Sequence, residues 1–153
     1  MEVVPLTPLH LDAVCALEAE VFRDREPWSR KAFEGELINP QAVWVVALAG
    51  TAVIGYAGGW AGGGEFHLLN LGVAPPYRRR GTGRGLVRAV LGRAAARGCR
   101  RVTLEVRSSN DGARSLYESF GFRSAGVRPR HYGNGEDAVV YWLDALESAT
   151  DLQ

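Results

Sequence analysis

The sequence predicts an α/β protein, one domain with a mixed central sheet and flanking helices. Three observations carry this. Apolar residues recur with two different periods: Val102, Leu104 and Val106 alternate at period two, whereas Leu86, Val87, Val90, Leu91 and Ala94 recur at helical spacing. The segments read in order as strand, two helices, three strands, helix, strand, helix, two strands. The chain has 153 residues, 46% of them hydrophobic and 23% charged, which suits a single core of ordinary globular composition.

Val3 to Leu6 is a short strand. Thr7 followed by Pro8 is an N-cap with proline at the first helical position, and Leu11, Val14, Leu17, Val21 and Phe22 follow at helical spacing. Arg23-Asp24-Arg25-Glu26-Pro27 breaks this helix. Trp28 and Phe33 stand either side of Ser29 as a hydrophobic staple stands around an N-cap, and the second helix ends near Asn39-Pro40. Val43 to Leu48 and Ala52 to Ala57 form a hairpin about Ala49-Gly50-Thr51. Gly58, Gly59, Gly62, Gly63 and Gly64 read as a flexible, exposed link. Glu65 to Val73 is the next strand, with Gly72 marking a bulge or a close backbone approach. After the helix that begins near Thr82, Gly98 falls at the C′ position. In Arg101 to Arg107 one face is apolar and the other carries Arg101, Thr103, Glu105 and Arg107. Asn110 caps a short helix bearing Ala113, Leu116, Tyr117 and Phe120, which Gly121 ends. Phe122 to Val127 and Ala138 to Leu143 are the last strands, joined by a polar loop. Residues 1–146 make up the domain, and 147–153 read as a disordered tail.

A formal net charge of +1 excludes a global nucleic-acid field, so any anion site is local. No apolar run approaches the ~20 residues of a membrane helix. The first residues lack the basic and apolar regions of a signal peptide. Cys15 and Cys99 are isolated and match no metal or disulfide spacing, and the three histidines are scattered. The expectation is a cytoplasmic protein with no metal, no direct contact with nucleic acid and no membrane association.

One stretch organises the chain. The apolar run from Leu68 to Val73 leads into Ala74-Pro75-Pro76-Tyr77-Arg78-Arg79-Arg80-Gly81-Thr82-Gly83-Arg84-Gly85, and an amphipathic helix leads out. Glycines let a ligand approach the backbone, and the first helical N–H groups have no intrahelical partner, so such a turn is an anion site. The plainer reading is a solvated basic loop. The stretch lacks the Gly-Lys-Ser/Thr of a Walker loop, and its third glycine comes too early for a dinucleotide fingerprint. An RNA patch lacks interleaved aromatics.

Arg78-Arg79-Arg80-Gly81-Thr82-Gly83 resembles the acyl-CoA pyrophosphate loop of the GNAT superfamily of N-acetyltransferases, whose pattern is Gln/Arg-x-x-Gly-x-Gly/Ala. Four further stretches resemble its RimI-like branch, which acetylates protein N-termini: Pro27-Trp28-Ser29; Leu104-Glu105-Val106-Arg107-Ser108-Ser109-Asn110; Leu116-Tyr117-Glu118-Ser119-Phe120-Gly121-Phe122; and Glu136-Asp137-Ala138. The resemblance spans about Pro27 to Leu143. It implies acetyl-CoA as co-substrate and a protein N-terminus, such as that of a ribosomal protein, as acceptor. It implies that Leu71, Gly72 and Val73 run along the pantetheine arm and polarise the thioester carbonyl. Arg78 to Arg84 form the pyrophosphate turn, with the amides of Arg79, Arg80, Gly81, Thr82, Gly83 and Arg84 as donors. Asn110 bonds the cofactor, Glu105 is the general base, Tyr117 the general acid, and Trp28 and Tyr132 line the peptide groove. Pro129, His131 and Tyr141 depart from the branch's usual residues.

The chemistry needs these types. Attack on a thioester requires a neutral amine, and an α-amine of pKa about 7.7–8.0 supplies it far more readily than lysine near 10.4. A carboxylate takes the proton, strand amides stabilise the oxyanion, and a phenol protonates the leaving sulfur. Each residue also has a plainer reading. Glu105 could pair with Arg101 or Arg107, Tyr117 could simply pack in the core, and Trp28 could serve only as a staple. Glu65 and His67 are reserve bases. The alternatives to an Nα-acetyltransferase are an enzyme of the same fold acting on lysine or a small amine, and a non-catalytic acyl-CoA sensor.

Overall fold

The computed structural model describes residues 1–146, so the tail at 147–153 lies outside the described residues. The elements follow the expected order. They are β1 (Glu2–Pro5), α1 (Leu11–Val21), α2 (Arg30–Leu37), β2 (Ala42–Ala49), β3 (Ala52–Gly62), β4 (Glu65–Val73), α3 (Thr82–Ala96), β5 (Arg101–Arg107), α4 (Asp111–Ser119), β6 (Arg123–Arg128) and β7 (Ala138–Leu143). Seven strands form one sheet in the order β1-β2-β3-β4-β5-β7-β6. Every neighbouring pair is antiparallel except β4 and β5, so the sheet is mixed.

Local chemistry sets the boundaries. Thr7 and His10 form a reciprocal capping box around a short 3-10 turn that feeds α1. Ser29 accepts a hydrogen bond from the Ala32 amide at the start of α2, and the Trp28 and Phe33 rings pack with centroids 5.3 Å apart. Asn110 Oδ1 accepts from the Ala113 amide at the start of α4. Beyond α3 and α4 the chain turns at Gly98 and Gly121, both at positive φ, as the αL end of a helix requires.

The sheet is covered on both faces. On β2, Val43, Val45 and Ala47 pack with Leu86, Val90 and Leu91 of α3, while Trp44 and Val46 pack with Leu11, Val14 and Leu17 of α1 and Phe33 of α2. Burial on both faces makes this strand a continuous apolar run. Tyr117, Phe120 and Phe122 extend the α3 side of the core under β5 and β7.

The glycine cluster after Ala57 is not the expected link. β3 runs on to Gly62, and only Gly63 and Gly64 turn the chain. Steric demand explains it: a Cβ on Gly58 would overlap the Trp44 ring, and one on Gly59 the His67 carbonyl oxygen. The bulge also lies elsewhere than expected. Gly58 faces Asn70 while Gly59 faces Leu68, which leaves Leu69 as the extra residue. Gly72 is in regular register with Tyr56, and its role is close approach, because a Cβ there would strike the Tyr56 ring.

Gly58→Ala should therefore overpack the Trp44 side of the sheet and cost about 1–3 kcal/mol. Gly92→Ala, at an exposed position of α3 where a Cβ meets nothing within 4 Å, should gain about 1 kcal/mol. Thermal unfolding checks both, at about 2–4 °C per kcal/mol. An unchanged Tm in Gly58→Ala would contradict the packing described.

Candidate active site

The parallel pair is short. Only Glu65, Phe66 and His67 of β4 face Arg101, Val102 and Thr103 of β5. Beyond that point β4 stays with β3 as far as Val73, while β5 stays with β7 as far as Arg107. The two strands diverge, and a cleft of about 250 Å³ opens between them. Leu68 to Leu71 line one side and Leu104 to Arg107 the other, with Asn110, Ala113 and Tyr117 of the α4 segment and, from two loops, Trp28 and Tyr132. From Leu68 onward the outer edge of β4 pairs with no strand among the described residues, so its main-chain polar groups, apart from the Val73 carbonyl that Arg78 reaches, are available to a ligand.

Glu105 lies in this cleft, and its side chain is 15% exposed. Its partner is neither Arg101 nor Arg107. Arg101 is engaged by Glu65 at 3.1 Å and Asp144 at 3.0 Å, and Arg107 by Glu136 at 3.3 Å. Glu105 Oε2 instead lies 2.8 Å from His67 Nε2. That hydrogen bond chiefly holds the carboxyl below its usual range; burial pushes the other way, and the charges of His67, Arg128 and His131 add to the lowering. Glu65, the other reserve base, belongs to the Arg101 ion pair and is absent from the cleft lining.

Tyr117 both packs in the core and faces the cleft. The ring is 6% exposed and meets Phe122 edge-on at 5.7 Å, yet it also lines the cleft. Burial pushes its phenol well above the usual range, so the proton stays on oxygen at neutral pH. α4 is fixed beneath it by Tyr141, the departure on β7: that hydroxyl donates to Glu118 at 2.6 Å and accepts from Arg114 at 3.0 Å.

Trp28 is likewise both staple and wall. It packs on Phe33 and Trp44, each at 5.3 Å, and lines the cleft. Tyr132 faces the cleft from the β6–β7 loop, 4.0 Å above the Arg107 guanidinium, with His131 edge-on at 5.0 Å. Arg107 was expected on a polar face but is buried, because it supports this loop through Asn134 and Glu136 as well as Tyr132. Glu136 in turn accepts from the hydroxyl and the amide of Ser109, which pull its pKa down to about 2. This clamp is complete above the ordinary carboxyl pKa and weakens only as the pH falls toward about 2.

The basic turn sits at the end of β4 and opens α3, whose N-cap, Gly81, has φ +84°. Gly81 carbonyl accepts from the Gly85 amide, so the amides of Thr82, Gly83 and Arg84 precede the first intrahelical bond. A Cβ on Gly81 would meet nothing within 4 Å, which leaves its face of the turn open for an anion. The side chains serve the fold. Thr82 is buried beside Gly55, Arg84 donates to Ser119 Oγ at 3.0 Å and lies over Phe120, and Arg78 reaches the Val73 carbonyl. Arg79, at φ +59°, and Arg80 are exposed. Asn110 spends its side-chain oxygen on the α4 cap, and its residue lines the cleft.

Two buried carboxylates escaped sequence reasoning. Glu18 is 1% exposed and accepts from Asn70 Nδ2 at 2.9 Å, the Trp28 amide at 2.8 Å and the Tyr56 hydroxyl. Glu36 accepts from the indoles of Trp44 and Trp60 at 2.8 and 2.7 Å. Nothing in the helical pattern distinguishes them from solvated glutamates. Their one signal is position: Glu18 follows Leu17 and Glu36 precedes Leu37, both on the apolar stripe.

Comparison with known proteins agrees with this geometry. Residues 11–122 match the Acetyltransferase (GNAT) family. The chain is 43% identical over 137 residues to N-alpha-acetyltransferase RimI of Mycobacterium tuberculosis, covering 86% of this chain and 85% of that one. It is 36% identical over 124 residues to the [ribosomal protein bS18]-alanine N-acetyltransferase of Escherichia coli K12, covering 76% and 80%. The crystal structure of the ribosomal-protein-S18-alanine N-acetyltransferase from Escherichia coli superposes with a TM-score of 0.85 at 30% identity, covering 94% and 93%. The motif-bearing strands, the diverging pair and these likenesses together show that the chain belongs to the GNAT acetyltransferase family, in its RimI-like branch.

Proposed function

We propose that this protein transfers an acetyl group from acetyl-CoA to the α-amine of a protein N-terminus, by direct attack with both substrates bound. The observation that carries this is the cleft itself. Glu105 from β5, Tyr117 from α4 and the free edge of Leu68 to Leu71 on β4 border one opening, and β4 runs on through Gly72 and Val73 to the turn into α3. The residues fit acetyl-CoA: helix-start amides for the diphosphate, a strand edge for the pantetheine arm and Asn110 beside it. Acetyl-CoA supplies the activated acyl group. Glu105 accepts a proton from the incoming amine, the amides along Gly72 and Val73 stabilise the developing oxyanion, and Tyr117, kept protonated by burial, gives a proton to sulfur. Trp28 and Tyr132 bound the acceptor end. That Glu105 and Tyr117 both border the cleft supports an enzyme over a non-catalytic sensor. The substrate in the Escherichia coli relative's name, ribosomal protein bS18, makes the N-terminus of a ribosomal protein the first acceptor to try, and this reading sets the enzyme in the cytoplasm.

The test is acetyl transfer to peptides with a free N-terminus and an internal lysine, read by mass spectrometry. The acetyl group should be on the α-amine; acetyl-lysine with an untouched N-terminus would contradict the proposal.

Glu105→Gln should lower kcat by about 10²–10⁴-fold at pH 7 with little change in CoA affinity. The loss should shrink at high pH, where the amine is already neutral. Tyr117→Phe should also lower kcat, without that recovery. Steady-state rates from pH 6 to 9 separate the two, and a normal kcat in Glu105→Gln would remove it from the mechanism.

A further inference from the structure

A second hollow, of about 470 Å³, lies between α2, β2 and the carboxyl end of α3, and it shares no lining residue with the cleft. Its size is that of a small-ligand site. Leu6, Leu37, Pro40, Val43 and Trp44 give it apolar walls. Glu36 of α2 brings a negative charge to it, and Arg93 and Arg97 bring positive charge from the end of α3.

Glu36 is the unusual member. It is only 8% exposed. Its Oε1 accepts from the indoles of both Trp44 and Trp60. Its Oε2 has no partner among the described residues. Among those residues no fully buried side-chain oxygen lacks a partner, so Oε2 is an atom that solvent reaches, and the hollow is the opening that Glu36 lines. Holding a carboxylate in such a place is costly unless something pairs with it. Neither arginine does. Arg97 Nη1 donates to the Pro40 carbonyl at 2.8 Å, and Arg93 makes no hydrogen bond or ion pair among the described residues. Cations at the carboxyl end of α3 complement the helix dipole, but that does not account for a buried carboxylate open to the same space.

We propose that this hollow binds a small zwitterion, an α-amino acid with an apolar side chain. Its ammonium lies on Glu36 Oε2, its carboxylate on Arg93 and Arg97, and its side chain among Leu6, Leu37 and Val43. A carboxylate oxygen with no partner takes a cationic N–H donor, and a guanidinium takes a carboxylate. A ligand carrying one charge would leave the opposite wall uncompensated. A zwitterion answers both walls and adds no net charge. Binding here does not depend on acetyl transfer, and the ligand is not the acceptor, whose amine enters the cleft between β4 and β5.

Calorimetric titration of the protein with L-leucine tests this. Tryptophan emission is a second readout, because Trp44 and Trp60 share Glu36. Leucine should bind one to one and change the emission. N-acetyl-leucine lacks the ammonium and leucinamide lacks the carboxylate, so each should bind about ten- to a hundredfold more weakly, as the loss of one hydrogen bond to a charged group predicts. Glu36→Gln keeps an oxygen for the two indoles and puts an amide nitrogen in place of Oε2. Arg93→Gln changes an exposed side chain and spares the fold. Both should weaken leucine binding by the same factor with the circular dichroism unchanged. If Glu36→Gln does not fold, Arg93→Gln decides the matter alone. Glu105→Gln, in the cleft, should bind leucine as the wild type does. Absence of heat and of any emission change up to millimolar leucine would overturn the proposal. So would equal binding of N-acetyl-leucine, or leucine binding that survives Arg93→Gln and is lost in Glu105→Gln, which would put the ligand in the cleft.

Discussion

The site depends on the separation of β4 from β5 after a three-residue parallel pairing. A continuous ladder would satisfy the backbone of both strands and leave no opening. Each strand instead follows its other neighbour: β4 remains with β3, and β5 remains with β7. The extra residue Leu69 sits at the start of the divergence, where a bulge increases local twist. Asn70 immediately follows, and its side chain is held by Glu18 from α1. One interruption thus exposes the edge of β4, admits Glu105 and Tyr117 to a shared space, and stations His67 at the last closed position.

The buried carboxylates belong to the same construction. An ionised carboxylate under the sheet would be costly without partners. Glu18 has donors from β3, from β4 and from the Trp28 amide, so one side chain ties α1 to two strands and to the Trp28 wall of the cleft. Glu36 does the same for α2 through two indoles. On the opposite wall Arg107 and Glu136 hold the loop that carries Tyr132. The end of the cleft between Trp28 and Tyr132 is therefore built on polar contacts between elements distant in sequence.

That distribution explains what could be read in advance. Periodicity and caps gave the order of elements, because Thr7, Ser29, Asn110, Gly98 and Gly121 act through neighbouring backbone. The basic turn that opens α3 and the presence of Glu105 and Tyr117 beside one cleft were legible because they occur in short motifs. Gly58 and Gly59 misled, since what requires them is the Trp44 ring on β2 and the His67 carbonyl on β4. The His67–Glu105 contact spans 38 residues of sequence, and the Glu18–Asn70 contact 52. No local pattern encodes either; each exists only once the sheet has brought β4 beside β5 or under α1.

The central claim is that the free edge of β4 and the turn after it hold acetyl-CoA. Amide hydrogen exchange with and without acetyl-CoA measures this most directly. The account predicts slowed exchange at Leu71 to Val73 and at Arg79 to Arg84, with the edge strand β6 unchanged. Protection confined instead to the groove between α2, β2 and α3, around Leu37, Asn39, Arg93 and Arg97, would contradict it.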